Sequence, residues 1–283
     1  MRSDTFHFRV GDFACIVFRD KAPLYPIQMF LTNLGPDLYE PWMQQRGQDP
    51  LRTEIPYLCL LIDTGRERVL VDTGIGVSAS SPGELIPLLQ KEGIACGDIS
   101  IVFLTHGHGD HVNGCLDQAG KPAFPNARYL IGQREHDFWM SSPSLDGTPI
   151  RADYRRSMVE NAQKNISGVH EQLDLIGPET EIARGLRTLA AYGHTPGQLG
   201  LEIASASNRL LFVADAIIHP LHLRYPKAIS AVDYDPVEVF KTRARLLEKA
   251  ATANCLVGAS HLPFPGLGYV APERSCWEWR PIS

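Results

Sequence analysis

Near the middle of the chain, four side chains that bind metal ions fall within six positions. Residues 106–111 read His-Gly-His-Gly-Asp-His, and the two glycines carry no side chain that would crowd an ion. Neutral imidazole and carboxylate are ligands that Zn²⁺ and similar divalent ions recruit. The apolar run at residues 99–104 is typical of a buried strand that ends in this loop. These features favour a metal site over a solvated histidine-rich turn.

Three more candidate ligands follow apolar runs further along the chain. They are His194, Asp215 and His261. The runs that precede them are residues 186–192, 209–214 and 255–260. A strand that delivers a single His or Asp at its end is a common way for a sheet to build a site along one edge. One such histidine alone would more often be structural, but three of these positions together with the histidine-rich loop indicate a shared metal centre.

This combination resembles the metallo-β-lactamase-fold hydrolases. The shared motifs are His-x-His-x-Asp-His, Gly-His-Thr-Pro-Gly at residues 193–197, an isolated Asp215 and a late His261. The resemblance runs from about residue 57 to about residue 270. The resemblance implies an α+β fold, a four-layered αββα sandwich with helices outside two facing sheets. It also implies two divalent metal ions, expected to be Zn²⁺, with Mn, Co or Fe as alternatives.

The resemblance also assigns the ligands. His106, His108 and His194 would hold one metal. Asp110, His111 and His261 would hold the other. Asp215 would bridge both, and Asp72 in the Asp-Thr-Gly turn at residues 72–74 would support the loop without contacting a metal.

The expected activity is dinuclear metal-dependent hydrolysis of a small ester-like substrate, a lactone or a carboxylic ester. Two cations about 3.5 Å apart lower the pKa of a bridging water, so that a metal-bridging hydroxide can attack the substrate. Asp110 and Asp215 are the carboxylates expected to act in catalysis. A phosphotriester is the alternative substrate. A mononuclear iron enzyme similar to the persulfide dioxygenases of this fold and a non-catalytic scaffold remain open as different classes.

Residues 259–269 resemble the last ligand segment of the methyl parathion hydrolase and acyl-homoserine lactonase branch. Such lactonases commonly carry a tyrosine three residues after the bridging aspartate, where this chain has Ile218. His219 or His222 could take over its polar role. Phe264, in the proline-rich loop after His261, is expected at the rim of the substrate pocket, with a purely structural role as the alternative.

Two segments are candidates for specificity. Residues 22–54 form a long aromatic-rich stretch with no clear periodicity, which predicts a pocket lid or a homodimer contact. Residues 135–140 contain Phe138 and Trp139, which either overhang the site or lie in the core. If either segment covers the metals, the substrate is a small apolar molecule with a hydrolysable polar head.

Composition favours one enzyme domain over residues 1–283. The hydrophobic fraction of 44% is ample for a core, and the formal net charge of −5 gives no indication of a nucleic-acid partner. The six cysteines show no paired spacing, which predicts free thiols in a reducing, cytoplasmic environment. No apolar stretch approaches the ~18 residues of a membrane span, and no export signal is recognised.

Eight strands are predicted, near residues 57–63, 68–72, 99–104, 127–131, 186–192, 199–204, 209–214 and 254–259. Three helices are predicted around them. One covers residues 83–91 and another covers residues 153–164. The third opens at Asp235 with an N-cap aspartate, a proline in the first turn and a glutamate at the third position. Cys115 is expected behind the ligand loop and away from the metals.

Overall fold

The computed structural model describes residues 3–77 and 81–282. Its strands are β1 (Thr5–Val10), β2 (Phe13–Lys21), β3 (Leu24–Pro26), β4 (Arg52–Glu54), β5 (Tyr57–Asp63), β6 (Arg68–Val71), β7 (Ile101–Leu104), β8 (Arg128–Gly132), β9 (Leu173–Ile176), β10 (Glu181–Ala183), β11 (Leu186–Ala190), β12 (Leu199–Ser205), β13 (Asn208–Phe212), β14 (Leu256–Gly258), β15 (Leu267–Glu273) and β16 (Cys276–Pro281). Its helices are α1 (Pro36–Gln44), α2 (Leu85–Lys91), α3 (Gly109–Val112), α4 (Gln133–Met140), α5 (Ala152–Gly168), α6 (Leu221–Arg224) and α7 (Pro236–Ala253).

Two seven-stranded mixed sheets form the centre of the molecule. The first has the order β1-β2-β5-β6-β7-β8-β9, and the second runs from β10 to β16 in chain order. Strands β6 to β9 pair in parallel, as do β13 and β14, whereas the other pairs within both sheets are antiparallel. The carboxyl ends of parallel strands lie at one edge of a sheet, so the loops that follow them meet there.

The alternation of side chains along each strand assigns residues to different cores. In β5, Cys59 and Leu61 pack in a cluster with residues of α2, whereas Leu60 and Ile62 pack in a cluster with residues of the second sheet. The clusters differ because successive side chains of a strand point to opposite faces. Both faces of this strand are therefore covered, which explains its nearly continuous apolar sequence.

Helices cover the outer face of each sheet. Residues of α2, α4 and α5 share a core with the first sheet, and residues of α7 share one with the second. The result is helices, sheet, sheet and helices, so the predicted four-layered αββα sandwich is confirmed. The described residues nevertheless form twice the predicted number of strands, because β1, β2, β15 and β16 and the short strands β3, β4, β9 and β10 were not predicted.

Helix α7 begins as its sequence predicts. The Asp235 side chain accepts a hydrogen bond of 3.0 Å from the Glu238 backbone N–H, which satisfies one of the free donors of the first turn. The helix ends at Asn254, which has a left-handed φ of 44°. The predicted helices at residues 83–91 and 153–164 correspond to α2 and the longer α5.

Residues 22–54 are more regular than their sequence suggests. Strands β3 and β4 pair antiparallel, and α1 lies between them in the chain. Tyr39 and Met43 of α1 are buried in one cluster with Leu221 and Ala228. These last two residues follow the candidate ligand Asp215 in the chain. We call residues 22–54 the cap segment.

Among the described residues, no helix combines the length and the apolar character needed to span a bilayer. All six cysteines are free thiols.

Candidate metal centre

The candidate ligands come together because each follows the end of a strand. Residues 106–111 follow β7 in the first sheet. His194, Asp215 and His261 follow β11, β13 and β14 in the second sheet. The two sheets face each other, so all seven side chains meet at one edge of the sandwich. The first sheet supplies four of them and the second sheet supplies three.

Three histidines form the first cluster. The His108 Nδ1 atom lies 3.1 Å from His106 Nε2 and 2.9 Å from His194 Nε2. His106 and His194 are buried, and ligand atoms of all three lie within 4.8 Å of one another. Nitrogens held about 2.0–2.1 Å from a tetrahedral zinc lie roughly 3.3 Å apart. The observed separations are therefore close to those that a zinc ion requires.

Asp110, His111 and His261 form the second cluster. The Asp110 Oδ2 atom lies 3.4 Å from His261 Nε2 and 3.7 Å from His111 Nε2. This mixed set of two imidazoles and one carboxylate is an ordinary environment for a divalent transition metal.

The Asp215 carboxylate lies between the two clusters. Its Oδ2 atom is 3.3 Å from His194 Nε2 and 3.0 Å from His261 Nε2, which belong to different clusters. Its Oδ1 atom is 3.5 Å from His111 Nε2. The preceding Ala214 adopts a positive φ of 46°, a strained conformation that is found where a side chain must be aimed. One carboxylate thus reaches ligands of both clusters.

Groups outside the clusters orient the imidazoles. The Asp72 Oδ2 atom lies 2.7 Å from His111 Nδ1, and Asp72 Oδ1 accepts a hydrogen bond from the Thr105 backbone N–H. The Asp233 Oδ1 atom lies 2.9 Å from His194 Nδ1. In both pairs a protonated Nδ1 donates to the carboxylate, so that Nε2 faces the cluster.

Asp72 was singled out from the sequence, whereas Asp233 was not. Asp233 lies 39 residues after the histidine that it contacts, and no motif surrounds it. The His261 ring is oriented by the backbone, since its Nδ1 lies 2.8 Å from the Pro56 carbonyl oxygen.

Burial and neighbouring charges change the protonation of the site. Burial lowers the pKa of His106 and His108 well below the usual value, and neighbouring histidines act in the same direction. Burial also acts to lower the pKa of His111, but the Asp215 and Asp72 carboxylates outweigh it and raise that pKa well above its usual value. Neutral imidazoles are the form that binds metals, so His106 and His108 are preset for that role.

Two buried polar atoms without hydrogen-bond partners support a cation between the clusters. Within the described part of the chain, His111 Nε2 and Asp215 Oδ1 are fully buried and have no hydrogen-bond partner. Buried polar atoms are nearly always paired because leaving them unpaired is costly. A cation between them would satisfy both, so the residues present fit a metal pair.

The clusters form the floor of a cavity of about 300 Å³. Its walls include Met29 and Phe30 from the cap segment, and Tyr154 and Met158 from α5. Its further lining residues are Tyr25, Ile55, Tyr57, Ile75, His108, Gly109, Asp110, Asn113, Ser157, Asn161, His194, Asp215, Ile218, Val232 and His261. None of these described lining residues is Lys or Arg.

The three pocket residues expected from sequence lie outside this cavity. His219 is buried with its Nε2 3.1 Å from Thr53 Oγ1. His222 is buried with its Nε2 2.8 Å from the Phe30 carbonyl oxygen. Phe264 packs edge to face on Phe6 and lines a neighbouring cavity of about 610 Å³, which His219 also lines.

Two further side chains near the clusters also have structural surroundings. The Trp139 ring is fully buried, and its centroid lies 5.6 Å from the centroid of the His108 ring. Trp139 therefore lies in the core, which was one of the two alternatives considered from the sequence. Cys115 is buried behind the ligand loop with its Sγ 3.7 Å from Thr73 Oγ1. Burial raises the pKa of the Cys115 thiol to about 12. Both residues therefore belong to the supporting core.

Sequence comparisons agree with this geometry. The protein N-acyl homoserine lactonase AiiA of Bacillus thuringiensis subsp. kurstaki is 21% identical over 243 residues, which is 78% of this chain and 84% of AiiA. The uncharacterized protein YobT of Bacillus subtilis strain 168 is 31% identical over 163 residues, which is 57% of this chain and 62% of YobT. The match thus spans less than two thirds of YobT.

A solved structure matches almost the whole chain. It is that of AidC, described as a dizinc quorum-quenching lactonase in complex with a product. The similarity has a TM-score of 0.93 with 25% sequence identity and covers 99% of this chain and 97% of AidC. A family model described as the metallo-beta-lactamase superfamily matches residues 52–259. That range contains every candidate ligand except His261, and the chain belongs to the metallo-beta-lactamase superfamily.

Proposed function

We propose that this protein is a dinuclear metal-dependent hydrolase that acts on a small neutral ester, with lactones as the preferred class. The observation that best supports this proposal is the position of Asp215. Its two oxygens approach histidines of both clusters at the floor of a cavity. His106, His108 and His194 would hold one divalent cation, and zinc is the cation that we expect.

Asp110, His111 and His261 would hold the second cation, and Asp215 would serve both. When bound, such a metal pair lowers the pKa of a coordinated water and polarises the substrate carbonyl. The chain itself keeps His106 and His108 neutral, orients the imidazoles and buries the reacting groups. The Asp110 and Asp215 carboxylates, which face the cavity, are the acceptors available for a proton there.

Two neighbouring phenols are among the uncharged hydrogen-bonding groups of the cavity wall. The hydroxyls of Tyr25 and Tyr57 bond to each other, and both side chains line the cavity. The Tyr57 ring lies 5.6 Å from the His261 ring. Burial raises the pKa of both phenols, so both remain protonated donors at neutral pH. We propose that they bind the polar head of the substrate, in place of a tyrosine at position 218.

The cavity wall supports the choice of substrate class. Met29, Ile55, Met158 and Val232 offer apolar surface for an acyl chain. A lactone or ester carries no charge, so it does not need a cation in the wall. The names of AiiA and AidC, both lactonases, point to the same class.

The test is a substrate screen on protein loaded with two equivalents of zinc. The panel contains acyl-homoserine lactones of rising chain length, simple γ-lactones, aryl esters and a phosphotriester, with acid release followed by an indicator dye. We expect turnover of lactones to exceed that of every other class. Turnover of the phosphotriester alone would overturn the lactone assignment and support the alternative substrate.

Metal analysis separates the other classes. Two metals per chain are expected for the hydrolase. One iron per chain with oxygen consumption on a persulfide would identify a redox enzyme and overturn the proposal. Absence of tight metal binding would indicate a scaffold.

A further inference from the structure

A buried carboxylate outside the metal clusters connects the two sheets. Glu135, in the first turn of α4, is fully buried. Its Oε1 atom accepts hydrogen bonds from the Gly107 backbone N–H at 2.9 Å and from Trp139 Nε1 at 2.6 Å. Its Oε2 atom accepts from Thr195 Oγ1 at 2.7 Å and from the Gly197 backbone N–H at 3.0 Å.

These four donors belong to the two loops that carry the first cluster and to α4 itself. Gly107 lies between His106 and His108, and Thr195 follows His194 directly. One carboxylate therefore holds the backbone beside all three histidines, each oxygen serving a different sheet. Asp72 and Asp233, in contrast, each contact one imidazole.

Burial of the Glu135 carboxylate costs free energy, which indicates that the residue has a specific role. All four donors to Glu135 are neutral groups. Burial of a carboxylate without an opposite charge is unfavourable and raises its pKa, although the four hydrogen bonds oppose that effect. A neutral apolar residue would fill the same volume without this cost.

The packing of the two ligand loops against α4 also explains why Gly107 and Gly197 are glycines. A Cβ atom at Gly197 would lie 2.1 Å from the Glu135 backbone nitrogen, and one at Gly107 would lie 2.3 Å from Trp139 Nε1. Both separations are far below van der Waals contact. The two ligand loops therefore lie directly on α4, and the Glu135 carboxylate in its first turn reaches both.

We propose that Glu135 is a positioning residue that sets the distance between the His106/His108 loop and the His194 loop, and so tunes metal affinity at the three-histidine cluster. This inference rests on the metal binding in the proposed function but not on the identity of the substrate. Loss of the carboxylate would leave the second cluster nearly unchanged, because none of the carboxylate's four hydrogen bonds involves Asp110, His111 or His261.

The central variant is Glu135→Gln, which keeps the shape of the side chain. Its amide nitrogen must face either the Gly107 and Trp139 donors or the Gly197 donor, so one loop loses its acceptor in either orientation. We expect titration with Zn²⁺ or Co²⁺ to show a metal Kd raised about 10- to 100-fold at one site. The other site should change less than about threefold.

A mutant cycle identifies the affected site. In a His261→Ala background the three-histidine cluster remains, and Glu135→Gln should still weaken metal binding. In a His194→Ala background that cluster is already broken, so Glu135→Gln should add no further loss. Equal losses in both backgrounds would overturn the proposal.

Two controls separate positioning from general stability. Leu247→Ala removes volume from the fully buried core under α7, so it should lower Tm without changing either metal Kd. Trp139→Phe removes one of the four donors and should give a smaller effect at the same site. If Glu135→Gln and Trp139→Phe both lower Tm with unchanged metal affinities, the role of Glu135 is only structural.

The outcomes also separate this inference from the proposed function. Weaker binding at the three-histidine site together with no lactone turnover by the wild-type protein would sustain the positioning role and reject the substrate. Lactone turnover by the wild-type protein, together with unaltered metal affinities in Glu135→Gln, would support the substrate assignment and reject the positioning role.

Discussion

At the scale of single residues, Asp215 differs from the other ligands because its two oxygens approach both clusters. We predict that Asp215→Ala loosens both metals and lowers turnover by at least about 100-fold, more than loss of an outer partner costs. Metal analysis after gel filtration and steady-state kinetics measure this. Asp137→Ala is the matched control, since that carboxylate is exposed on α4. Two tightly held metals in Asp215→Ala would exclude the bridging role.

Asp72 and Asp233 support different clusters, so their variants serve as controls for each other. Asp72→Asn should weaken mainly the metal held by His111, and Asp233→Asn mainly the metal held by His194. Loss of such a partner typically costs about 10- to 100-fold in metal affinity. Calorimetric titration of the two sites measures the pattern. Equal losses at both sites in both variants would contradict it.

The cysteines give a prediction that is independent of metals. Cys96 and Cys276 are partly exposed, whereas the other four thiols are buried. Burial raises the pKa of Cys15 and Cys115 to about 12, so almost no reactive thiolate is present at pH 8. We predict that a disulfide reagent modifies two thiols in the native protein and six in denaturant. Rapid modification of more than two native thiols would show that the buried ones are accessible.

At the scale of elements, the cap segment bears on specificity. Its Met29 side chain is half-buried and lines the metal-facing cavity, whereas Phe264 lies outside that cavity. We predict that Met29→Ala raises KM for long-chain substrates about 5- to 30-fold, from about 1–2 kcal/mol of lost apolar contact. The value of kcat for a small ester should change little, because the ligands are untouched.

Phe264→Ala is the matched control for the cap segment. Its ring packs on Phe6 and below the Arg19 guanidinium, so truncation should lower Tm and leave KM unchanged across the chain-length series. A raised KM in Phe264→Ala with none in Met29→Ala would return the substrate pocket to the loop after His261.

The sequence predicted those elements whose signal is local. Strands buried on both faces, such as β5 and β7, show continuous apolar runs, and the caps of α7 lie within its own sequence. The edge strands β1 and β16 are partly exposed, so their apolar pattern is weak. Their pairing partners rather than their composition define them.

The same distinction explains which site residues could be found. The ligands stand at the ends of recognisable strands and within two motifs. Glu135 and Asp233 act through contacts with residues 28 to 62 positions away, and nothing in their neighbouring sequence indicates this. The cavity could not be predicted from the sequence either, because its wall combines β3, α5 and loops of both sheets.

At the scale of the whole molecule, the cap segment has exposed apolar residues, including Leu24 and Leu51. A homodimer through this segment remains a prediction from the sequence, as does a cytoplasmic location. Gel filtration of the wild-type protein and of Leu51→Asp tests the dimer. A dimer that persists in Leu51→Asp would place the interface elsewhere.

The metal centre also joins the two halves of the sandwich. The three-histidine cluster combines His106 and His108 from the first sheet with His194 from the second, and the other cluster combines Asp110 and His111 with His261. Each cation would therefore link both sheets. Without cations, the buried His111 Nε2 and Asp215 Oδ1 atoms keep no hydrogen-bond partner among the described residues.

We therefore predict that metal removal lowers the stability of the entire fold. A ligand at 100 times its Kd stabilises the native state by about 2.7 kcal/mol, so two cations contribute on the order of 5 kcal/mol. Because a change of 1 kcal/mol shifts Tm by a few degrees in a chain of this size, calorimetry should show Tm falling by roughly 10 °C after chelation and recovering with Zn²⁺ but not Mg²⁺. The same titration on Asp215→Ala should give a much smaller recovery, because its ligand set is incomplete. Equal Tm values with and without zinc would mean that the two sheets are held together by their apolar core alone.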